Sequence, residues 1–399
     1  MNGLAPGVRL GYCTNVHPYQ DVDGMLAALR DAAVPLRQRL VARGELAADE
    51  PLGVGLWFPA GVARELARDA SALRETLAGW QLAAFTVNAF PYGSFHGDVV
   101  KDDVFRPAWG DPERLEYTLD ASRALAALID EGEVGSVSTH TGAYKAWGPP
   151  DTDPARIAAG LLAAADGLAQ LERDTGRRIV LGLEPEPLSF LETTDEVLAF
   201  FGDHLLGAGD AARRHLGLCY DACHQAVEFE DMAASVSALA AAGIPLAKVQ
   251  LSSAFRIPDP RAARELLRPF AEDRWFHQVV LRHTDGSLER IADLPQALAD
   301  ERAVDAAEWR VHYHVPVFAD ALDDEGDGGR PPLLYTTRPQ LEELLSLLAD
   351  GRQTTHLEIE TYTWHAIPAE RRRALGVESV VDCLEAEFRW VLGQLRGAG

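Results

Sequence analysis

The chain has 399 residues, 61 of them Asp or Glu and 37 Lys or Arg, for a net charge of −24. A field of that sign repels nucleic acid and anionic membranes, so neither is expected as a partner, and it favours capture of divalent cations. At 47% hydrophobic residues the chain can bury a large core, and no apolar run approaches the roughly 20 residues of a membrane-spanning helix. The four cysteines (Cys13, Cys219, Cys223 and Cys383) lack the paired spacing of a zinc module and read as buried or idle thiols. No basic segment followed by an apolar stretch opens the chain, so a cytoplasmic protein is expected.

Strand-like runs are predicted at 8–16, 52–59, 81–90, 134–141, 178–184, 215–221, 246–253, 309–318 and 356–363. Segments with helical spacing lie between them, at 22–42, 61–78, 113–130, 154–173 and 231–242, and a last helix is predicted at 377–395. Asp151-Thr152-Asp153-Pro154 and Thr193-Thr194-Asp195-Glu196 carry helix-start chemistry. This alternation predicts a parallel sheet with helices outside. About eight such units favour a (β/α)8 TIM barrel, one domain over 1–399 with a C-terminal helix. Nine strand candidates compete for eight places, so either 246–253 or 309–318 is an inserted element. The irregular, inserted region is expected around 255–308, with a hairpin turning at Asp285-Gly286, and 323–332 reads as an acidic, Gly/Pro-rich surface loop.

Carboxylates end several of these runs. Glu184 closes RIVLGLE and Glu186 follows between two prolines; Asp221 closes HLGLCYD, with His224 three residues later. In HLEIETYT, Glu358 and Glu360 share one face, which suits a barrel interior near its mouth, and Glu360 is nearer the strand end. A carboxylate ending a buried run is costly unless a cation or proton compensates it. His312 and His314 in VHYHV share a face at the spacing of a metal pincer, and Gln250 could offer a neutral oxygen. Asn15 with His17, Asn88 and His140 also end strands and fit one polar mouth, with Trp57, Phe90, Trp147 and Trp364 as candidate apolar walls. The chain has no phosphate-binding GxxxxGK[ST] loop, no GxSxG elbow and no HExxH, which leaves nucleotide-dependent phosphoryl transfer and serine hydrolysis without support.

The strand endings THTG, LEPEP, CYDACH and IET, in this order, resemble those of xylose isomerase-like TIM barrels. That superfamily includes sugar isomerases, ketose 3-epimerases, inosose dehydratases and endonuclease IV-type hydrolases. Over nearly the full length, GYCTNVHP, TVNAFPYGSFH, YDACHQAVEFED, KVQLSSA, VHYHVPVF and HLEIETYTW are most similar to EboE-type metabolite traffic proteins. The resemblance implies a divalent ion (Mn, Mg or Zn) held by Glu184, Asp221, Glu360 and a further group from Gln250 or the His312/His314 pair, His314 foremost. It implies that His224 touches substrate. Glu184 and Glu360 would then move a proton through an enediolate, isomerising or epimerising a sugar, cyclitol or similar polyol. His17, Asn88, His140, Glu186, His312 and Trp364 are the further substrate contacts expected. Two other readings stay open: a metal-dependent hydrolase of a small phosphoester, and a non-catalytic metabolite-binding or traffic protein. A homo-oligomer is also left open.

Overall fold

The computed structural model describes residues 1, 4–93, 95–97, 99–323 and 331–397. Most of the acidic loop expected at 323–332 therefore lies outside the described residues. In chain order the strands are β1 (Arg9–Tyr12), β2 (Leu52–Trp57), β3 (Leu82–Asn88), β4 (Val134–His140), β5 (Arg178–Glu184), β6 (Leu216–Asp221) and β7 (Leu246–Leu251). They continue with β8 (Ser253–Ile257), β9 (Val279–Arg282), β10 (Leu288–Ile291), β11 (Glu308–Val315), β12 (Tyr335–Thr336) and β13 (His356–Ile359). Eight of them form one parallel sheet in the order β1-β13-β7-β6-β5-β4-β3-β2, and a parallel bridge between Cys13 and Gly55 closes it into a barrel. The expected (β/α)8 architecture is the observed one.

The helices outside begin where local chemistry stops the strand-exit loops. Asp153 accepts a hydrogen bond from the Ala155 amide and Pro154 opens the helix Pro154–Thr175, which Gly176 ends in a left-handed conformation (φ 67°). Thr193 caps Thr194–Phe200 through the Glu196 amide. The single helix expected at 61–78 is two, Ala60–Arg68 and Ser71–Gly79. Asp69 breaks it: its backbone is extended, and its carboxylate accepts the Ser71 amide at 2.9 Å, a local bond that competes with helix continuation. No helix among the described residues is long and apolar enough to cross a membrane.

The contest between 246–253 and 309–318 resolves in favour of the former. LAKVQL is the barrel strand β7, whereas WRVHYHV forms the centre of a second, antiparallel sheet ordered β10-β9-β11-β8-β12. This sheet reaches from Ser253 to Thr336, beyond the 255–308 expected, and includes the hairpin at Gly286 (φ 87°). On β11, Trp309, Val311, Tyr313 and Val315 alternate into the insertion's own core with Phe255, Leu267 and Phe270. The barrel and its helices bury a separate core. The opposite face of β11 therefore carries Arg310, His312 and His314. A contact from Arg290 on β10 to Glu228, just after the helix Ala222–Val227, ties the insertion to the barrel.

Inside the barrel one layer is ionic. Lys248 on β7 bonds Glu358 on β13, and both side chains are fully buried. This pair accounts for the polar face that HLEIE presents inward.

Candidate active site

At the C-terminal ends of the barrel strands, the register sets neighbouring polar residues side by side. Asp221 lies opposite Gln250, and His140 opposite Glu184. Ligand atoms of Glu184, Asp221 and Glu360 all lie within 4.8 Å of one another, and each side chain is buried. Glu360 sits one residue beyond β13, and its Oε1 accepts amide hydrogen bonds from Asn15 (2.7 Å) and Asn88 (3.1 Å). Asp221 caps the helix that follows it: its Oδ1 accepts from the Cys223 amide (2.7 Å), the His224 amide (3.1 Å) and the Ser252 hydroxyl (2.7 Å). That cap is why Asp221 and His224 share one corner of the site.

The residues fit a cation. Glu184 Oε2, Asp221 Oδ2 and both amide atoms of Gln250 are buried with no hydrogen-bond partner among the described residues, and such groups are expensive unless something else satisfies them. Burial, with the neighbouring Asp221, raises the Glu184 carboxyl to about 8. Burial and the charges of Glu184 and Asp221 push Glu360 up, and burial with Glu184 pushes Glu186 up. A bound ion would relieve that repulsion.

Beside the carboxylates stand three histidines. The Nε2 of His224 is 3.1 Å from that of His312 and 3.4 Å from that of His314, and His312 and His314 are 3.1 Å apart. Burial lowers all three imidazoles, His314 to about 4 and His312 well below the usual range. They are neutral at neutral pH.

Glu184, Glu186, Asn88, His224, His312, His314 and Glu360 line one pocket together with Asn15, Gln278 and Lys101. Phe90, Phe95, Phe105, Trp275, Phe276 and Tyr362 form its aromatic walls. His17, His140 and Trp364, expected as substrate contacts, lie outside this lining. His17 bonds the Tyr12 hydroxyl at 3.2 Å; His140 bonds Pro107 O and packs edge-on to Phe105; Trp364 is buried under Arg372. Gln250 stays inside the barrel at the level of Asp221 and Glu358. Of the four aromatic walls expected, only Phe90 lines the pocket. Gln278 and Lys248 were missed. The aromatic doublet Trp275-Phe276, just ahead of an inserted strand, was the available signal for the pocket's outer wall.

Fold and site together define a (β/α)8 barrel with a buried carboxylate and histidine centre at the C-terminal strand ends. No protein-family model matches the chain, and no curated protein matches it either. Among solved structures, the IOLI protein with a bound zinc atom is 10% identical, covers 98% of this chain and 98% of its own, and has a TM-score of 0.45. A xylose isomerase domain-containing protein from Salmonella typhimurium is 14% identical over 65% of this chain and 75% of its own, with a TM-score of 0.34. The 3-keto-D-glucoside 4-epimerase of E. coli is 16% identical over 58% and 74%, with a TM-score of 0.33.

Proposed function

We propose that the protein is a divalent-metal-dependent isomerase or epimerase of a small sugar, cyclitol or similar polyol. The observation that carries this reading is the placement of Glu184 and Glu360. They come from β5 and β13, three places apart around an eight-strand barrel, and meet at one pocket with Asp221 between them in strand order. Glu184, Asp221 and Glu360 would hold the ion, with Gln250 and His314 as the further candidates. When bound it supplies Lewis acidity that polarises a carbonyl and acidifies the adjacent C–H. Glu184 Oε2, buried and without a hydrogen-bond partner among the described residues, lines the pocket as the candidate proton acceptor. Glu360 has one oxygen held by the Asn15 and Asn88 amides and its other oxygen for the ion or for a second proton exchange. Trp275, Phe95 and Tyr362 line the pocket and would pack against the C–H side of a polyol. The sequence likeness to EboE-type metabolite traffic proteins supports placing the chain in that family and leaves its reaction to the site chemistry.

The test is solvent exchange. Manganese-loaded protein incubated with a panel of ketoses and cyclitols in heavy water should place deuterium on a carbon next to a carbonyl, and E184Q should abolish it. Phosphate release from small phosphoesters without exchange would establish hydrolysis instead. That second reading is favoured by the nitrogen-rich donors beside the carboxylates. Tight polyol binding with neither reaction would establish a binding protein.

A further inference from the structure

We infer that the ligand of this pocket is an acidic polyol, a sugar or cyclitol carrying one carboxylate, and that Lys101 selects it by that charge. The inference rests on the pocket being the substrate site, and not on which reaction follows there.

Charge is distributed unevenly around the pocket. Glu184, Glu186 and Glu360 bring three carboxyls to it from the ends of β5 and β13. Lys101 is the only lysine or arginine among the described residues that line it. It opens the short 3-10 helix Lys101–Phe105, in the loop between β3 and the helix Pro112–Leu128. Its φ is 43°, a left-handed conformation that a residue other than glycine seldom takes. The amides of Val100 and Lys101 hold the loop there by donating to Arg274 O, at 2.7 and 3.2 Å. The ammonium lies 5.5 Å from the centroid of the Phe276 ring and bonds Asp293 Oδ2.

Pairing with Asp293 does not use up this cation. Asp293 Oδ1 accepts the amides of His277 (3.1 Å) and Leu294 (3.0 Å), so the carboxylate is fixed and stabilised from its own side. An ammonium has three donors, and Asp293 is its one hydrogen-bond partner among the described residues. A second cation stands behind the same wall. The Arg274 guanidinium packs 5.1 Å from the centroid of the Trp275 ring. It has no carboxylate partner among the described residues, and its Nε is buried without a hydrogen-bond partner.

A neutral polyol needs only the amides, imidazoles and carboxyls of the strand ends. An ammonium in the wall adds most toward an anionic group, where the hydrogen bond is charge-assisted. That group is repelled by Glu184, Glu186 and Glu360. An acidic polyol is therefore driven into one orientation, its carboxylate at Lys101 and its hydroxyl and carbonyl carbons at the strand-end acids. The number of cations favours a carboxylate over a phosphate. A phosphate dianion is ordinarily met by several cations or by helix amides, whereas one ammonium matches one negative charge.

The experiment uses the full, manganese-loaded chain and matched pairs of ligands that differ at one end: glucuronate with glucose, and gluconate with sorbitol. Glucose 6-phosphate is the phosphate arm. Calorimetric titration should show the acid of at least one pair binding about tenfold or more tighter than its neutral partner, the scale of one charge-assisted hydrogen bond. The preference should shrink as salt is added. In K101M the ratio within that pair should fall to about one, and K101R should keep most of it. Acids that bind no better than their neutral partners, or not at all, would overturn the inference, as would a ratio that survives K101M. Tighter binding of the phosphate than of either carboxylate would overturn the choice of carboxylate. The wild-type ratio and its salt dependence decide the matter even if K101M does not fold. Solvent exchange separates this inference from the isomerase reading. An acid preference without exchange leaves it standing, and exchange into neutral polyols with no acid preference removes it alone.

Discussion

Glu358 occupies the space that a side chain at position 55 would need: a Cβ built on Gly55 lies 1.3 Å from Glu358 Oε1. The carboxylate in turn meets Lys248 in the sealed centre of the barrel. G55A should therefore push Glu358 off its partner and leave two buried charges unpaired, at a cost of ~3–5 kcal/mol. Chemical unfolding would measure it. A loss below about 1 kcal/mol would show that the ion pair shifts freely. K248M should be destabilised similarly, and K248M/E358L should recover much of the loss, because an apolar pair removes the stranded charge.

The barrel was legible because its strands are period-two apolar runs separated by helical spacing, a local signal. Glu184, Asp221 and Glu360 were legible for a related reason: each ends or closely follows such a run. The histidine arrangement was only half legible. His312 and His314 could be paired on one face of a strand, but β11 folds back over the barrel mouth to meet His224, and no local pattern encodes that long-range contact. Gln278 was invisible because its importance lies in the direction of one amide. His140 and His17 show the converse, strand-end polar residues satisfied by nearby backbone or a tyrosine hydroxyl instead of facing the pocket.

Arg290 is the insertion's clamp. Its guanidinium bonds Glu228 at 2.5 and 3.0 Å, and burial has already raised that carboxyl to about 7 against the pull of the arginine. R290A should cost ~2–4 kcal/mol, and more at about pH 8, where the stranded Glu228 must ionise, than at about pH 5, where it is protonated. Equal losses at both pH values, read from denaturant midpoints, would show that Glu228 finds another partner.

Glu387 gives a separate pH dependence. It lies buried in the C-terminal helix, where its Oε1 accepts from the Val317 amide at 3.2 Å and the Thr361 hydroxyl at 2.6 Å. Burial raises its carboxyl from 4.5 to about 7. The folded state thus binds this proton more tightly than the unfolded chain, so its contribution is full below about pH 4.5 and is lost as pH rises through about 7. E387Q keeps an oxygen for both donors and cannot ionise. It should match the wild type at about pH 4 and exceed it by up to ~3 kcal/mol at about pH 8. A pH-independent difference between the two unfolding curves would remove Glu387 as the cause.

Asn15 and Asn88 both direct their amides at Glu360 Oε1, from the loop after β1 and the end of β3. Hydrogen bonds of this kind fix the direction in which a carboxylate presents its remaining oxygen, and losing such a partner typically weakens metal binding ~10–100-fold. N15A is the cleaner variant, because Asn88 also accepts the Phe90 amide at 3.0 Å and supports its own loop. Manganese titration by calorimetry should show the weakened affinity in N15A, with the unfolding midpoint falling by no more than ~1 kcal/mol equivalent for one lost hydrogen bond. Undiminished manganese affinity in N15A would mean that Glu360 is oriented without Asn15, and would shift the burden of holding the ion onto Glu184 and Asp221.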